Sequence, residues 1–372
     1  MDKEFAALEG WVAQQFGCSP QAVRLIAGDA SPRRYYRVSV AVAANSSWPA
    51  SVIAVRSPAT ENNDAFLKVG ELFRGLNVRT PEVFAYSLEQ GFFLLEDFGD
   101  ELLLSHLRQS GGDACYGKSL DILMRLSGLR AADLPSYDAT RLQVELDVFP
   151  EWFVTRLLDL PLDELSTASF STLSRALIQS ALEQPRVLVH RDFHSRNLML
   201  LPEGDIGVID YQDAVMGPIT YDLVSLLKDC YIRWPRRQQL AWLNGHFDKL
   251  KTRDTSEMSI LQGFSPAERS PRENEPPVDI TFQVFSRWFD LLGLQRHLKV
   301  LGVFARLNLR DHKPAYLNDL PLVTEYVREV LALYAPEDRV IAEFQDWFEA
   351  VVMPRVRNQP WYREPESIGW QP

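Results

Sequence analysis

Cysteine is scarce in this chain of 372 residues: only Cys18, Cys115 and Cys230 occur, far apart and odd in number. Neither a disulfide framework nor a zinc-binding spacing can be written with them, so the sequence reads as a protein of a reducing compartment. Long apolar runs are missing as well. No segment approaches the roughly 20 residues needed to cross a bilayer. The start, MDKEFAALEGWVAQQFG, has helical period and mixed charge in place of the basic start and apolar stretch of a signal peptide. These absences together point to a cytoplasmic protein with no membrane partner. Positive charge is also short: 39 Lys and Arg against 50 Asp and Glu leave a formal net charge of -11. That argues against a nucleic-acid partner, which calls for a basic face, and suits a soluble enzyme or a cationic substrate. Sequence offers no handle on oligomeric state.

What remains is an ordinary globular composition, 46% apolar and 24% charged, in a chain long enough for two lobes. No internal repeat is present. Residues 4–16 have the spacing of an amphipathic helix ending at Gly17. Two β-rich runs follow, 35–42 and 51–56, joined by a polar turn holding Asn45 and Pro49. Residues 63–76 carry apolar side chains at helical spacing, and VFAYSLEQGFFLLEDFG reads as a hairpin turning at Glu89, Gln90 and Gly91. The first hundred residues are therefore expected to form a mostly antiparallel sheet with one inserted helix. Helical spacing then dominates, over 101–109, 113–130, 141–158 and 167–183, with Pro150 placed to open a fresh helix. Helices resume from about 219. Residues 253–279 are polar and Pro-bearing and read as a flexible insertion. The expectation is an α+β, bilobal, protein-kinase-like fold: a small antiparallel β N-lobe, 1–97, and a large, mainly helical C-lobe, 98–372.

The helical part is interrupted at 187–214, VLVHRDFHSRNLMLLPEGDIGVIDYQDA, where charged residues stand at the ends of short apolar runs. His190, Arg191, Asp192 and Asn197 satisfy the kinase catalytic-loop spacing H-R-D-x-x-x-x-N. One carboxylate must reach the proton of an acceptor hydroxyl, while an amide oxygen a loop-turn away reaches a metal on the phosphates. Asp192 is thus the candidate base or orienting group, and Asn197 a metal ligand. NLMLL and IGVID, joined at Pro202–Asp205, form a hairpin that returns Asp210 beside Asn197. This makes an oxygen site suited to magnesium. Where kinases use Asp-Phe-Gly, this chain has Asp-Tyr-Gln-Asp. His190 reads as a structural histidine. His194, one turn from Asp192, is a candidate substrate contact. Asp222 either bonds backbone N–H groups of the catalytic loop or caps its own helix.

Other positions carry weaker signals. In IAGDASPRRYYRV, small residues and a turn between two strands, with the Ser31 hydroxyl, could cover phosphate, though a lone glycine is also what an ordinary turn has. LLEDFGD joins the lobes, and backbone groups near Glu96 and Phe98 are candidates for the adenine edge. The strand VIAVRSP lacks the usual kinase lysine and offers Arg56 for the α/β-phosphates, with Glu61, Asp64 or Glu71 as its acid partner. Glu145 and Asp147 are candidates to accept hydrogen bonds from a substrate's hydroxyls, against the alternative of helix-surface charge. Trp152 either stacks on a substrate or belongs to the core. A protein kinase is disfavoured: no Ala-Pro-Glu element follows Asp210, and Asp222 comes too soon for a long activation loop.

DASPRRYYRV, LLEDFGD, LDVFPEWF, HRDFHSRNLM and IDYQDAVMGPITYDLVSLLKD run in order from residue 29 to 229. On these motifs the chain resembles the aminoglycoside phosphotransferase and choline kinase-like superfamily. Within it, the chain is most similar to bacterial cell-wall-recycling sugar kinases that act on N-acetylmuramate and N-acetylglucosamine at the anomeric hydroxyl. The resemblance implies ATP as donor, Mg2+ held by Asn197 and Asp210, Asp192 as base, and a small-molecule sugar as partner. It leaves two rivals open: another acceptor, such as an aminoglycoside or a choline-like amine, and a silent nucleotide-binding scaffold.

Overall fold

A computed structural model describes residues 3–26, 32–39, 48–110, 112–129, 133–252 and 280–364. Ser31, Asn45, the 253–279 segment and Trp370 lie outside the described residues. The fold class is α+β, and the chain divides into two compact units: 1–110 with 196–213, and 111–195 with 214–372. By compactness, then, residues 98–110 and the 196–213 hairpin group with the first unit.

The first unit begins with helix α1 (Lys3–Phe16) and holds a five-stranded sheet. Its strands are β1 (Ala22–Leu25), β2 (Arg34–Ser39), β3 (Ser51–Arg56), β4 (Val83–Ser87) and β5 (Phe92–Glu96), in the antiparallel order β1-β2-β3-β5-β4. Helix α2 (Asn63–Gly75) is inserted between β3 and β4, and Asn62 caps it by accepting from the Ala65 N–H at 3.1 Å. Alternation along the strands sorts the side chains onto two faces. Tyr36, Val38, Val52, Ala54, Phe92 and Leu94 pack with Leu8, Trp11 and Val12 of α1. Tyr35, Ile53, Val55, Phe93 and Leu95 pack with Phe66 and Leu67 of α2. Helix α3 (Leu103–Ser110) completes this stretch.

The second unit is built on helices α4 (Asp113–Leu126), α5 (Ala139–Val148) and α6 (Glu164–Leu182), with Asp138 and Asp163 capping the last two. Pro150 does not open a fresh helix. Helix α5 runs without a break into a π-helical segment, Phe149–Leu157. A proline inside an α-helix removes one i→i−4 bond and clashes with the preceding turn; widening the helix to i→i−5 bonds absorbs that defect. The packing fits the widening. A Cβ on Gly302 would stand 2.3 Å from the Val148 carbonyl oxygen, so only glycine admits so close an approach at this junction.

Strand β6 (Arg186–Val189) precedes the catalytic-loop sequence. Strands β7 (Leu198–Leu200) and β8 (Ile206–Val208) form the expected hairpin in the first unit, with Leu198 opposite Val208 and Leu200 opposite Ile206. Its turn includes Gly204 at φ 76°. In the second unit β9 (Val215–Pro218) pairs antiparallel with β6. Then come α7 (Tyr221–Leu227), α8 (Arg236–Thr252), α9 (Phe282–Leu309), a 3-10 turn at Pro314–Asp319, α10 (Leu320–Tyr334), α11 (Arg339–Trp347) and, after a π turn, α12 (Met353–Arg357). Helix α9 is buried on nearly every side, which explains why no amphipathic stripe is visible in its sequence. Its buried charges are partnered. Asp290 accepts from Lys228 Nζ at 2.8 Å, from Arg236 Nη2 at 2.6 Å and from the Tyr334 hydroxyl at 2.9 Å. Among the described residues, no helix is long and apolar enough to cross a membrane.

Candidate active site

The catalytic-loop sequence is held to the second unit by two buried carboxylates. Asp222, 4% exposed in the first turn of α7, accepts from the backbone N–H of His190 at 2.6 Å and of Arg191 at 3.0 Å. Of the two readings of Asp222, the structure selects loop anchoring. Asp229 does the same one helix later, accepting from Ser195 N–H and Tyr231 N–H, each at 2.9 Å. Between these anchors Arg191 takes a left-handed conformation, φ 78°, which costs a non-glycine residue about 1 kcal/mol or more and persists only where neighbours enforce it. His190 is buried, and its Nδ1 accepts the Asp192 N–H at 3.3 Å, the structural role expected of it.

Asp192 leaves the loop with its side chain 42% exposed, and Arg296 of α9 lies 3.5 Å from its Oδ1. Packing around the carboxylate disfavours its charge, but Arg296, Lys299, His194 and Arg191 outweigh that and hold its pKa below the usual carboxylate range. Asp192 is therefore ionised at neutral pH. Burial pushes its anchor Asp222 the other way, up to about 7. His194 sits in the same cluster, edge-on to the Tyr231 ring at 5.3 Å.

The carboxylate of Glu145 is engaged within the protein. Its Oε1 is 2.7 Å from Arg191 Nη2 and 2.8 Å from Lys299 Nζ, and Oε2 accepts from the Tyr137 hydroxyl. Tyr137 in turn meets the Tyr221 hydroxyl at 3.2 Å, and Lys299 Nζ meets it at 3.3 Å. The carboxylate is thus a hub that ties α5, α7, α9 and the catalytic loop together. Asp147 departs further from expectation. Two residues on, it is turned about 200° around α5, where it accepts from Gln143 Nε2 at 2.7 Å. There it lines a cavity of about 330 Å3 with Phe149, Phe170 and Trp347. The two acids lie on different sides of α5. Trp152 is neither core nor open platform: the Arg156 guanidinium covers its ring at 4.1 Å.

The other half of the motif belongs to the first unit. The hairpin bonds Ile209 N–H to the Asn197 carbonyl at 3.1 Å and brings Asn197 Nδ2 to 3.5 Å from Asp210 Oδ2. Asp210 is left-handed, φ 62°, and its Oδ1 accepts from Gln212 Nε2 at 2.7 Å. Tyr211 is fully buried under α2, stacked on Phe66 at 5.1 Å and tilted to Phe73 at 5.6 Å; Gly70 leaves room for its ring. Tyr211 thereby points Asp210 outward, the part a phenylalanine plays after a kinase's metal-binding aspartate. One carboxylate and one amide oxygen are too few for a metal held by protein alone. Among the described residues no group of three or more His, Cys, Asp or Glu is placed to hold one. They do suit Mg2+, which keeps its waters and takes the rest of its ligands from phosphates.

The nucleotide candidates are sorted unevenly. Glu96 has its N–H bonded to the Glu82 carbonyl at 2.8 Å and its carboxylate paired with Arg79, so it offers no backbone donor for an adenine. Phe98 lies under Arg79, 5.1 Å from its ring, and against Gly207 of β8, where a Cβ would come within 2.6 Å of the ring. Arg56 is paired with Phe92 and falls on the α1 face of the sheet with Val52 and Ala54, the face opposite α2. Residue spacing cannot reveal this, because the phase of alternation depends on which face each helix covers. Ser31 lies outside the described residues. Sequence reasoning missed Arg296, Lys299, Asp229 and Tyr137; Asp229 closes the IDYQDAVMGPITYDLVSLLKD motif, and the other three stand in none.

Residues 22–261 match the phosphotransferase enzyme family. An N-acetylmuramate/N-acetylglucosamine kinase of Pseudomonas putida is 37% identical over 325 residues, 85% of this chain and 86% of that one. A protein of the same name from Neisseria meningitidis is 34% identical over 334 residues, 88% of this chain and 91% of its own. The fold is similar to that of an ADP-bound aminoglycoside phosphotransferase, with TM-score 0.55, 12% identity and coverage of 88% and 97%. It is also similar to choline kinase LicA of Streptococcus pneumoniae, with TM-score 0.55, 11% identity and coverage of 88% and 100%. The architecture is thus that of the protein-kinase-like phosphotransferases. The chain belongs to the phosphotransferase enzyme family, and it is a kinase with a hydroxyl group as acceptor.

Proposed function

We propose that this enzyme transfers the γ-phosphoryl group of ATP to the anomeric hydroxyl of an amino sugar, N-acetylmuramate or N-acetylglucosamine, in the cytoplasm. The observation that carries the chemistry is the placing of Asp192, on a loop whose His190 and Arg191 N–H groups Asp222 anchors and 3.5 Å from Arg296. The names of the relatives carry the acceptor. In this reading residues 1–97 cover the nucleotide and 98–372 supply the catalytic loop and the acceptor site.

Mg2+, when bound, neutralises charge on the β- and γ-phosphates, and Asn197 and Asp210 are the residues that would hold it. Asp192 accepts a hydrogen bond from the acceptor hydroxyl and orients its lone pair in line with the leaving oxygen. As the new O–P bond forms and the bond to the β-phosphate oxygen breaks, the hydroxyl proton passes to Asp192. A carboxylate of low pKa is a weak base, so the proton moves late and positioning supplies most of the rate. Phe98 contributes to the adenine site, and His194 to the acceptor site beside Asp192.

The test is to incubate the purified chain with ATP and N-acetylmuramate, N-acetylglucosamine, an aminoglycoside or choline, and to locate the new phosphate by phosphorus NMR. A sugar 1-phosphate is expected. Phosphate elsewhere on the ring, or on an amine-bearing acceptor alone, refutes the acceptor. Asp192→Ala should lower turnover by at least about a thousandfold, since it removes both orientation and the proton acceptor, while nucleotide binding survives. An active variant refutes the role of Asp192.

A further inference from the structure

Among the described residues of the first unit, Arg33 is the one cation that is buried, at 4% exposure. Taking a guanidinium out of water is costly unless its surroundings are built for it. Here they are. Arg33 Nε donates to the Ser57 hydroxyl at 3.0 Å, and that hydroxyl donates onward to Asn63 Oδ1, at 2.6 Å, in the first turn of α2. Ser57 is pinned by its own N–H, bonded to the Gly91 carbonyl at 2.7 Å. Arg33 Nη1 lies 3.7 Å from Glu61 Oε2, just ahead of α2, and the guanidinium carbon is 5.8 Å from the Phe66 ring.

The placement matters as much as the burial. Tyr35 packs on the α2 face of the sheet, in the field of both Arg33 and Asp210. Tyr211, next to Asp210, lies in the field of Arg33. A cation, its acid partner at the entrance of the helix after β3, and the candidate metal carboxylate therefore share one side of the sheet. Kinase-type transfer needs that trio, with the cation on the α- and β-phosphates and the acid holding it. Strand β3 supplies no lysine, and it turns Arg56 to the opposite face. We infer that Arg33, ion-paired with Glu61, is the residue that takes the α/β-phosphates of the nucleotide in this chain. A planar five-donor fork is suited to two phosphate oxygens at once. This rests on the ATP reading above.

Titration calorimetry on the full chain with Mg-ATP, Mg-ADP and adenosine separates the outcomes. Arg33→Met should weaken ATP and ADP by roughly tenfold to a hundredfold, the worth of charge-assisted hydrogen bonds, and leave adenosine within about twofold of its original affinity. Glu61→Gln should show the same pattern, smaller. Arg33→Lys keeps the charge without the fork, so its loss should be intermediate; it carries the same comparison if the methionine variant does not fold. Equal loss for adenosine would make Arg33 merely structural and overturn the inference. Unchanged ATP affinity, or the loss appearing in Arg56→Met instead, would overturn it too. If the unaltered, folded chain binds neither ATP nor ADP, the nucleotide reading itself falls and takes this inference with it.

Discussion

Replacing Glu145 with alanine leaves Arg191 and Lys299 facing each other without the carboxylate that joins them, and the Tyr137 hydroxyl without its acceptor. The side chains of Glu145, Lys299 and Arg191 are 12%, 14% and 22% exposed, so water can replace little of the lost interaction. Breaking a buried pair by removing one partner costs about 3–5 kcal/mol. For a chain of this length that is a fall in melting temperature on the order of 5 °C. Glu145→Gln keeps the oxygen for Tyr137 and should cost less than Glu145→Ala. The effect should also reach turnover. Arg191 is the left-handed residue from which Asp192 departs, and displacing a reacting group by about 1 Å costs roughly a hundredfold. Steady-state kinetics of Glu145→Gln, at saturating ATP and varied acceptor, should therefore show kcat reduced and KM for the acceptor little changed. A raised KM with unchanged kcat and unchanged melting temperature would refute the reasoning, and would return Glu145 to the role of a hydroxyl-binding residue.

The pH dependence of stability should carry the mark of His246, buried on α8, where burial, joined by Lys249, lowers its pKa to about 3. The unfolded chain binds a proton near pH 6.5 and the folded one does not, so its contribution is complete above 6.5 and is lost as pH falls toward 3. Between pH 7 and 5 the melting free energy of the unaltered chain should drop about 2 kcal/mol relative to His246→Gln; parallel profiles would refute this. Gly302→Ala should destabilise by about 1–3 kcal/mol or more, because its Cβ would press on the Val148 carbonyl oxygen and Phe149 nitrogen. A calorimetric melt indistinguishable from the original would mean that α9 does not pack there as described.

Several elements were legible because their determinants are local. The hairpin that brings Asn197 to Asp210 spans fourteen positions, and two apolar triplets separated by a turn with Gly204 leave one register that buries them. The histidine, arginine and aspartate at 190–192 are legible by spacing alone. The helix at 63–75 and the sheet around it follow from period 3.6 and period 2. Pro150 was misread because a proline signals a helix start only when the preceding turn is not already helical, and here a widened helix carries it.

By itself, the sequence determined β2 to β5 with the helix inserted among them, the catalytic-loop spacing and the hairpin that pairs an amide with a carboxylate. Tertiary structure alone decided which charges face which. It turned Arg33 and Arg56 to opposite faces of the sheet, separated Glu145 from Asp147, assigned Asp222 to the loop, and brought Arg296 and Lys299 from α9 to Asp192, about a hundred residues away in sequence. The reason is physical. Periodicity states that a strand or helix has two sides, but the side that carries chemistry is set by what packs against the other, and that packing joins residues no local pattern connects.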